Sequence, residues 1–271
     1  MNNELRPKRR SALRRFAGTY FYTLKRYIYW YTGGLSFAHE YDDKFLAWKV
    51  ASHHTPLLRK LKDVDMQYQY NKIVNLKLAC SKLDGLLLKP GETFSYWKCI
   101  GHPTRRKGYK DGIVLYCGTF GPSVGGGLCQ LSNLIYWMTL HTPLTVTERY
   151  RHSYDVFPDS NRTQPFGSGA TCVYPYRDLM VRNDTMDTWQ LRVKVGSENL
   201  EGEWRCTAPV RVEYEIVEKE HRFVREYWGG FSRNNELWRR CHDLTTGKEW
   251  EEYVTENHAL TMYAPFLDTK K

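Results

Sequence analysis

Apolar residues recur at intervals of three and four along Asn71–Cys80, and the rhythm carries on through Leu83 to Leu86-Leu87-Leu88. Such spacing predicts a core-facing helix, and residues 36–88 read as mainly helical until Pro90-Gly91 turns the chain. A second stripe, Leu128, Leu131, Leu134 or Ile135, and Met138, predicts a helix over about Leu128–Leu140, closed by Pro143. Downstream the period changes to two. Leu144–Glu148 reads as a strand, and Trp189, Leu191, Val193 and Val195 alternate with Gln190, Arg192 and Lys194. Val210, Val212, Tyr214 and Ile216 alternate with Arg211, Glu213 and Glu215, and Phe223–Trp228 is expected to pair with them. Gly229-Gly230 and Thr246-Gly247 mark turns. The pattern predicts an α+β fold with N-terminal helices, a cysteine-bearing helix packed on an antiparallel sheet, and a β-rich C-terminal part. Four stretches follow: an N-terminal arm over 1–35, a helical segment over 36–90, a core over 91–196 and a β-rich extension over 197–271.

Charge changes the picture of the first stretch. The chain has 271 residues and a formal net charge of +10. Residues 1–30 hold eight Lys or Arg against the single acid Glu4, interleaved with Phe16, Tyr20, Phe21, Tyr22, Tyr27, Tyr29 and Trp30. A basic helix with an aromatic flank suits peripheral contact with an anionic membrane. Nucleic-acid binding ranks last, because no nucleic-acid motif accompanies the basic arm. A solvated, frayed terminus is the plainer reading of the same residues. No run of 18 apolar residues exists, which excludes a spanning helix of the usual kind. Lys25, Arg26 and Gly33-Gly34 interrupt the stretch that a signal peptide would need. The expected location is therefore the cytoplasm, with peripheral contact at the inner membrane face.

Seven cysteines are scattered without any Cys-x-x-Cys pair, so neither a zinc ribbon nor a dithiol redox motif is predicted. His53-His54 points to no metal site either, since no His-Glu-x-x-His follows, and no cofactor is expected. The chemically loaded stretch is Gly121-Pro122-Ser123-Val124-Gly125-Gly126-Gly127-Leu128-Cys129-Gln130-Leu131-Ser132. A thiol at a helix N-terminus sits in a positive potential that favours thiolate and lowers its pKa. Cys129 is thus a candidate nucleophile, and Gly125, Gly126, Gly127, Gln130 and Ser132 are candidate oxyanion or ligand-binding residues. His152 is the first choice of base, with His102 and His141 as alternatives. Asp178 is the candidate orienting acid, with Asp155 and Asp159 behind it. The competing reading is a glycine-capped tight loop with Cys129 packed inward.

Five segments resemble the VanW family: Asn75–Ala79, Leu86–Ser95, Gly108–Gly112, Gly125–Asn133 and Leu179–Thr185. The resemblance spans about Asn71–Val195. It implies a bacterial protein linked to glycopeptide (vancomycin) resistance and to cell-envelope or peptidoglycan metabolism, and the chain resembles the shorter type of member that lacks a signal or anchor. The family's Gly-Gly-Gly-x-Cys-Gln maps onto Gly125, Gly126, Gly127, Cys129 and Gln130, and its Glu-Arg-x-x-His onto Glu148, Arg149 and His152. An Asp common before Ala-Thr in relatives is replaced here by Gly169, which weakens a complete triad unless Asp178 substitutes. Two functions follow as expectations. One is a transglutaminase-like or papain-like cysteine enzyme acting on a peptidoglycan precursor or stem peptide. The other is a non-catalytic accessory protein that binds envelope precursors at the inner membrane face.

Overall fold

A computed structural model describes residues 11–58, 65–116, 119–155, 164–263 and 265. Its centre is an antiparallel sheet in the order β1 (Trp48–Pro56), β10 (Asn199–Cys206), β9 (Trp189–Val195) and β2 (Leu86–Leu88). Helix α2 (Met66–Cys80) lies against β9, and α4 (Cys129–Leu140) lies against β1 and β10. The predicted stripe of α4 is its buried face: Leu131, Leu134, Ile135 and Met138 are all buried. Each contributes about 1.5–3 kcal/mol of apolar burial. Gly202 of β10 lets α4 come close, because a Cβ there would meet Met138 Cε at 2.8 Å and Leu134 Cδ2 at 3.0 Å. The fully buried Trp204 donates from Nε1 to Thr139 Oγ1 at 3.0 Å, so even the polar edge of this interface is satisfied.

Smaller units surround this centre. Strands β3 (Thr93–Ser95), β8 (Met180–Arg182) and β6 (Thr145–Glu148) form a three-stranded sheet, with the short helix α3 (Tyr96–Ile100) following β3. β4 (Asp111–Tyr116) and β5 (Thr119–Val124) form a hairpin that leads into α4. The C-terminal sheet is built from β11 (Val212–Arg225), β12 (Phe231–Asp243) and β13 (Glu249–Thr261), with β7 (Tyr154–Asp155) parallel to β13. The architecture is α+β, with a β-rich C-terminal part.

Several expectations need correction. Residues 36–88 are not mainly helical: β1 occupies 48–56, and the helix starting at Met66 stops at Cys80. Gly85, with φ +83°, breaks the run, and Leu86–Leu88 pairs with β9 instead of continuing the helix. Phe223 does not pair with the preceding strand; it belongs to β11 itself, whose partner is β12. The expected boundary at 196 falls in the hairpin joining β9 and β10, so β10 belongs with the central sheet.

The N-terminal arm is a helix, α1 (Ala12–Thr32), capped by Ser11 Oγ, which accepts from Arg14 N at 3.3 Å. Residues 1–10, with four of the basic side chains, lie outside the described residues. α1 is docked, not solvated all round. Arg26 and Trp30 are buried, and the Arg26 guanidinium forms a two-pronged pair with Glu148 of β6 (Nη1 to Oε2, 2.8 Å; Nη2 to Oε1). It also donates to Tyr176 O at 3.1 Å. Burial pulls the Arg26 pKa down, but the hydrogen bond and charge of Glu148 raise it further, so the guanidinium stays charged.

Candidate functional site

The glycine run forms a turn wedged between α2 and the β4–β5 hairpin. Gly126 sits against Gly112 of β4 so closely that a Cβ on Gly126 would lie 2.0 Å from Gly112 O. Gly127 has φ +90°, and a Cβ there would strike Lys72 Cγ at 2.2 Å. Asn75 of α2, fully buried, straps the turn in place. Its Nδ2 donates to Gly126 O (2.9 Å) and Lys110 O (3.0 Å), and its Oδ1 accepts from Lys110 N (2.8 Å). The N–H of Gly125 donates to Lys110 O at 3.0 Å and that of Gly126 to Ser123 O at 3.0 Å. Two of the three glycine N–H groups proposed for an oxyanion are therefore committed to the turn itself.

The polar side chains after the glycines are likewise committed to partners within the fold. Gln130 Nε2 donates to Thr55 Oγ1 (2.8 Å) and Pro56 O (2.9 Å), tying the end of β1 to the start of α4. Ser132 Oγ donates to Ala170 O at 2.7 Å, and Asn133 Oδ1 accepts from Ala170 N at 2.7 Å. Together they clamp the segment around Ala170, and Tyr96 OH donates to Leu128 O at 2.8 Å from the other side. Gly169 lies beneath this clamp: a Cβ there would meet Asn133 Oδ1 at 2.8 Å.

Cys129 is the first residue of α4, as the sequence suggests, but its thiol is not activated. Burial raises its pKa above the ordinary thiol value and outweighs the backbone hydrogen bonds of Cys172 and of Cys129 itself at the helix start, which pull it down. Sγ lies 3.7 Å from Cys172 O, within reach as a weak thiol donor. Among the described residues, no hydrogen bond or ion pair joins Cys129 to His152. Thr171 N donates to Tyr150 O at 2.8 Å, so the chain at Tyr150 runs beside the segment whose Cys172 O faces the Cys129 thiol. Burial, and then the neighbouring Arg177, lower the His152 pKa, which leaves the ring neutral at pH 7.

Asp178 does not orient His152. It is buried and faces α3: Oδ2 accepts from Ser95 Oγ at 2.5 Å, and Oδ1 from Trp97 N at 3.0 Å and Leu179 N at 2.9 Å. Burial pushes its pKa up to about 7, the hydrogen bonds from Ser95 and Trp97 oppose the rise, and Glu148 adds to it. Of the alternatives, His102 stacks on Tyr174 with ring centroids 4.5 Å apart. His141 lies at the opposite end of α4 from Cys129, its Nδ1 2.8 Å from Tyr214 O. Asp155 pairs with Arg233 and accepts from Tyr263 OH at 2.9 Å. Asp159 lies outside the described residues.

Three residues that sequence reasoning left without a role organise the region. Arg26 holds Glu148, which accepts from Asp178 N at 3.2 Å and so links α1 to the Asp178 site. Arg149 donates from Nε to Gly169 O at 2.9 Å and lies over the Tyr136 ring at 4.8 Å. Asn75 had a signal, since it falls in one of the five recognisable segments; Arg26 had none, because a cation in a basic arm reads as solvated.

A groove opens elsewhere, with a volume of about 940 Å³, between β1, the end of α4 and the start of the C-terminal sheet. His53, Trp137, His141, Gln164, Glu213 and Arg240 line it. The half-buried Trp137 ring packs edge-on to His141 with centroids 5.0 Å apart, and Gln164 Nε2 is 2.9 Å from His53 Nε2. Burial lowers the pKa of both His53 and His141, so both rings are neutral at pH 7. Among the described residues, no group of three His, Cys, Asp or Glu side chains is placed to hold a metal ion.

The sequence model of the family described as "VanW like protein" matches residues 71–205, the span from α2 to the end of β10. "Vancomycin B-type resistance protein VanW" of Enterococcus faecalis (strain ATCC 700802 / V583) is 38% identical over 209 residues, 76% of each chain. The chain belongs to the VanW family. A more distant similarity, 34% over 82 residues, links it to "Uncharacterized protein YoaR" of Bacillus subtilis (strain 168), covering 30% of this chain and 27% of that one. No solved structure matches. The match to the family model holds every residue of the glycine turn, the Asn75 strap and the Cys129–Asn133 clamp, whereas α1 and strands β11–β13 lie outside it.

Proposed function

We propose that this VanW-family protein serves glycopeptide (vancomycin) resistance as an accessory protein that binds a cell-envelope precursor without turning it over. One observation carries the reading. The side chains of Gln130, Ser132 and Asn133, and two of the glycine N–H groups, are committed to hydrogen bonds within the fold, and burial favours the protonated Cys129 thiol. The motif then works as a clasp joining α2, β1, α4 and the Ala170 segment. A nucleophile would need a thiolate and a base in contact with it, and the burial that favours the protonated Cys129 thiol supports the non-catalytic reading. The groove around Trp137 is the better place for a ligand. An aromatic face, neutral imidazoles and both signs of charge at Glu213 and Arg240 suit a sugar bearing a short peptide.

The soluble nucleotide-linked muramyl pentapeptide is the probe. In calorimetry, wild-type protein and Cys129→Ala should bind it equally, and mass spectrometry should recover it unchanged from both. Trp137→Ala should weaken binding at least about tenfold, the loss of a stacking contact and its buried area. Conversion of the probe by wild type but not by Cys129→Ala would restore the cysteine-enzyme reading and overturn this one.

A further inference from the structure

We propose that α1 is an in-plane helix that docks this protein on an anionic lipid surface. The inference goes beyond precursor binding and stands on α1 alone. Leu13, Phe16, Tyr20, Leu24, Ile28 and Tyr31 are each 50–78% exposed. At 100° per residue they fall within an arc of roughly 120° on the helix surface. This is a continuous apolar stripe turned to solvent over the whole helix, six large side chains where a soluble surface carries scattered single ones. Only the C-terminal end of this face touches the protein, where Lys98 Nζ lies 4.2 Å over the Tyr31 ring and Tyr27 OH bonds Tyr174 OH at 2.5 Å; the main anchor is elsewhere. Arg26 and Trp30, the buried residues of α1, centre roughly 120° away on the helical wheel. The helix is thus fixed by one side and bare on another.

Charge selects the occupant. The exposed cations Arg14 and Lys25 border the stripe on the side away from Arg26 and Trp30, and Ala12–Thr32 contains no acidic residue. Counting the sequence before it, the first 32 residues hold eight Lys or Arg and one Glu. Apolar rings and aliphatic chains flanked by cations match the boundary between lipid headgroups and acyl chains, where tyrosines are favoured and phosphates are the counter-charge. No helix among the described residues is long and apolar enough to cross a membrane, so the helix lies in the surface plane. A second copy of the chain would bring another cationic border against this one, which the charge disfavours.

Co-sedimentation of the full chain with vesicles tests the proposal. Wild-type protein should bind phosphatidylcholine vesicles doped with phosphatidylglycerol, and binding should weaken at high salt. Phe16→Ser/Leu24→Ser/Ile28→Ser should lose at least about tenfold in partitioning, since each substitution removes several CH₂ groups' worth of burial. Arg14→Glu/Lys25→Glu, whose exposed sites leave the fold untouched, should lose the preference for anionic lipid. The proposal is overturned if wild type stays in the supernatant. It is equally overturned if the charge-reversed variant sediments like wild type. A wild-type dimer in sedimentation velocity that the serine substitutions split, with no vesicle binding, would assign the stripe to a second copy instead.

Discussion

Gly126→Ala is expected to lose most of the protein's stability where Gly121→Ala stays close to wild type. The added Cβ would lie 2.0 Å from Gly112 O and 2.1 Å from Gly112 C, so it meets main chain, not a side chain able to swing away. Relief requires pulling the glycine turn off β4. That movement breaks the Asn75 Nδ2 bond to Gly126 O and disturbs its pair with Lys110, leaving buried amide groups without partners. The combined cost is on the order of 4 kcal/mol or more, a large share of the stability of a typical domain. Gly121, in the same hairpin, has open space where its Cβ would be, and its replacement should cost less than about 1 kcal/mol. Urea denaturation of the two variants measures the contrast. Equal stability would show that the turn is not held as tightly as its geometry requires.

Asp178→Asn should stabilise the protein increasingly as the pH rises. The folded Asp178 carboxyl keeps its proton until about pH 7, against an ordinary value of 3.8. Between those two values the folded chain binds more protons at this site than the unfolded chain, so its contribution to stability falls as pH rises through the window. The full difference is worth about 4 kcal/mol. Asparagine cannot ionise, yet its Oδ1 can still accept from Trp97 N and Leu179 N. The stability gap between variant and wild type should therefore be small at pH 4 and approach about 4 kcal/mol at pH 8. His53, His141 and His152, whose pKa values burial lowers, bias stability the other way in acid. They do so alike in both proteins and cancel from the difference. A gap that stays constant with pH would mean that Asp178 titrates in the fold as it does in the unfolded chain.

What could be read from the sequence followed the range of the interactions involved. The stripe of α4 and the alternation of β9 are local periodicities, and both elements appear where the residues place them. β1 carries only a weak alternation and exists because β10, almost 150 residues later, supplies its hydrogen bonds, so a local reading mistook its surroundings for helix. Leu86–Leu88 has no period at all; this short edge strand is apolar throughout, with Leu86 and Leu88 buried, and resembles the end of a buried helix. Arg26 and Glu148 are 122 positions apart, and nothing in a basic arm tells which cation will be buried. At the candidate site the residue types were legible but their orientation was not. Glycines, a cysteine and small polar residues before a helix suit an oxyanion site, and they equally suit a turn packed backbone to backbone and clamped by amides. Only the partners of Asn75, Gln130 and Ser132 distinguish the two.

The state of the Cys129 thiol decides between clasp and nucleophile. Alkylation of the native protein across a range of pH, followed site by site by peptide mass spectrometry, reads it directly. The clasp account predicts that Cys129 labels slowly, with an inflection above that of the same cysteine in denatured protein. An inflection shifted below the denatured value, with Cys129 the fastest of the labelled cysteines at mildly acidic pH, would contradict it.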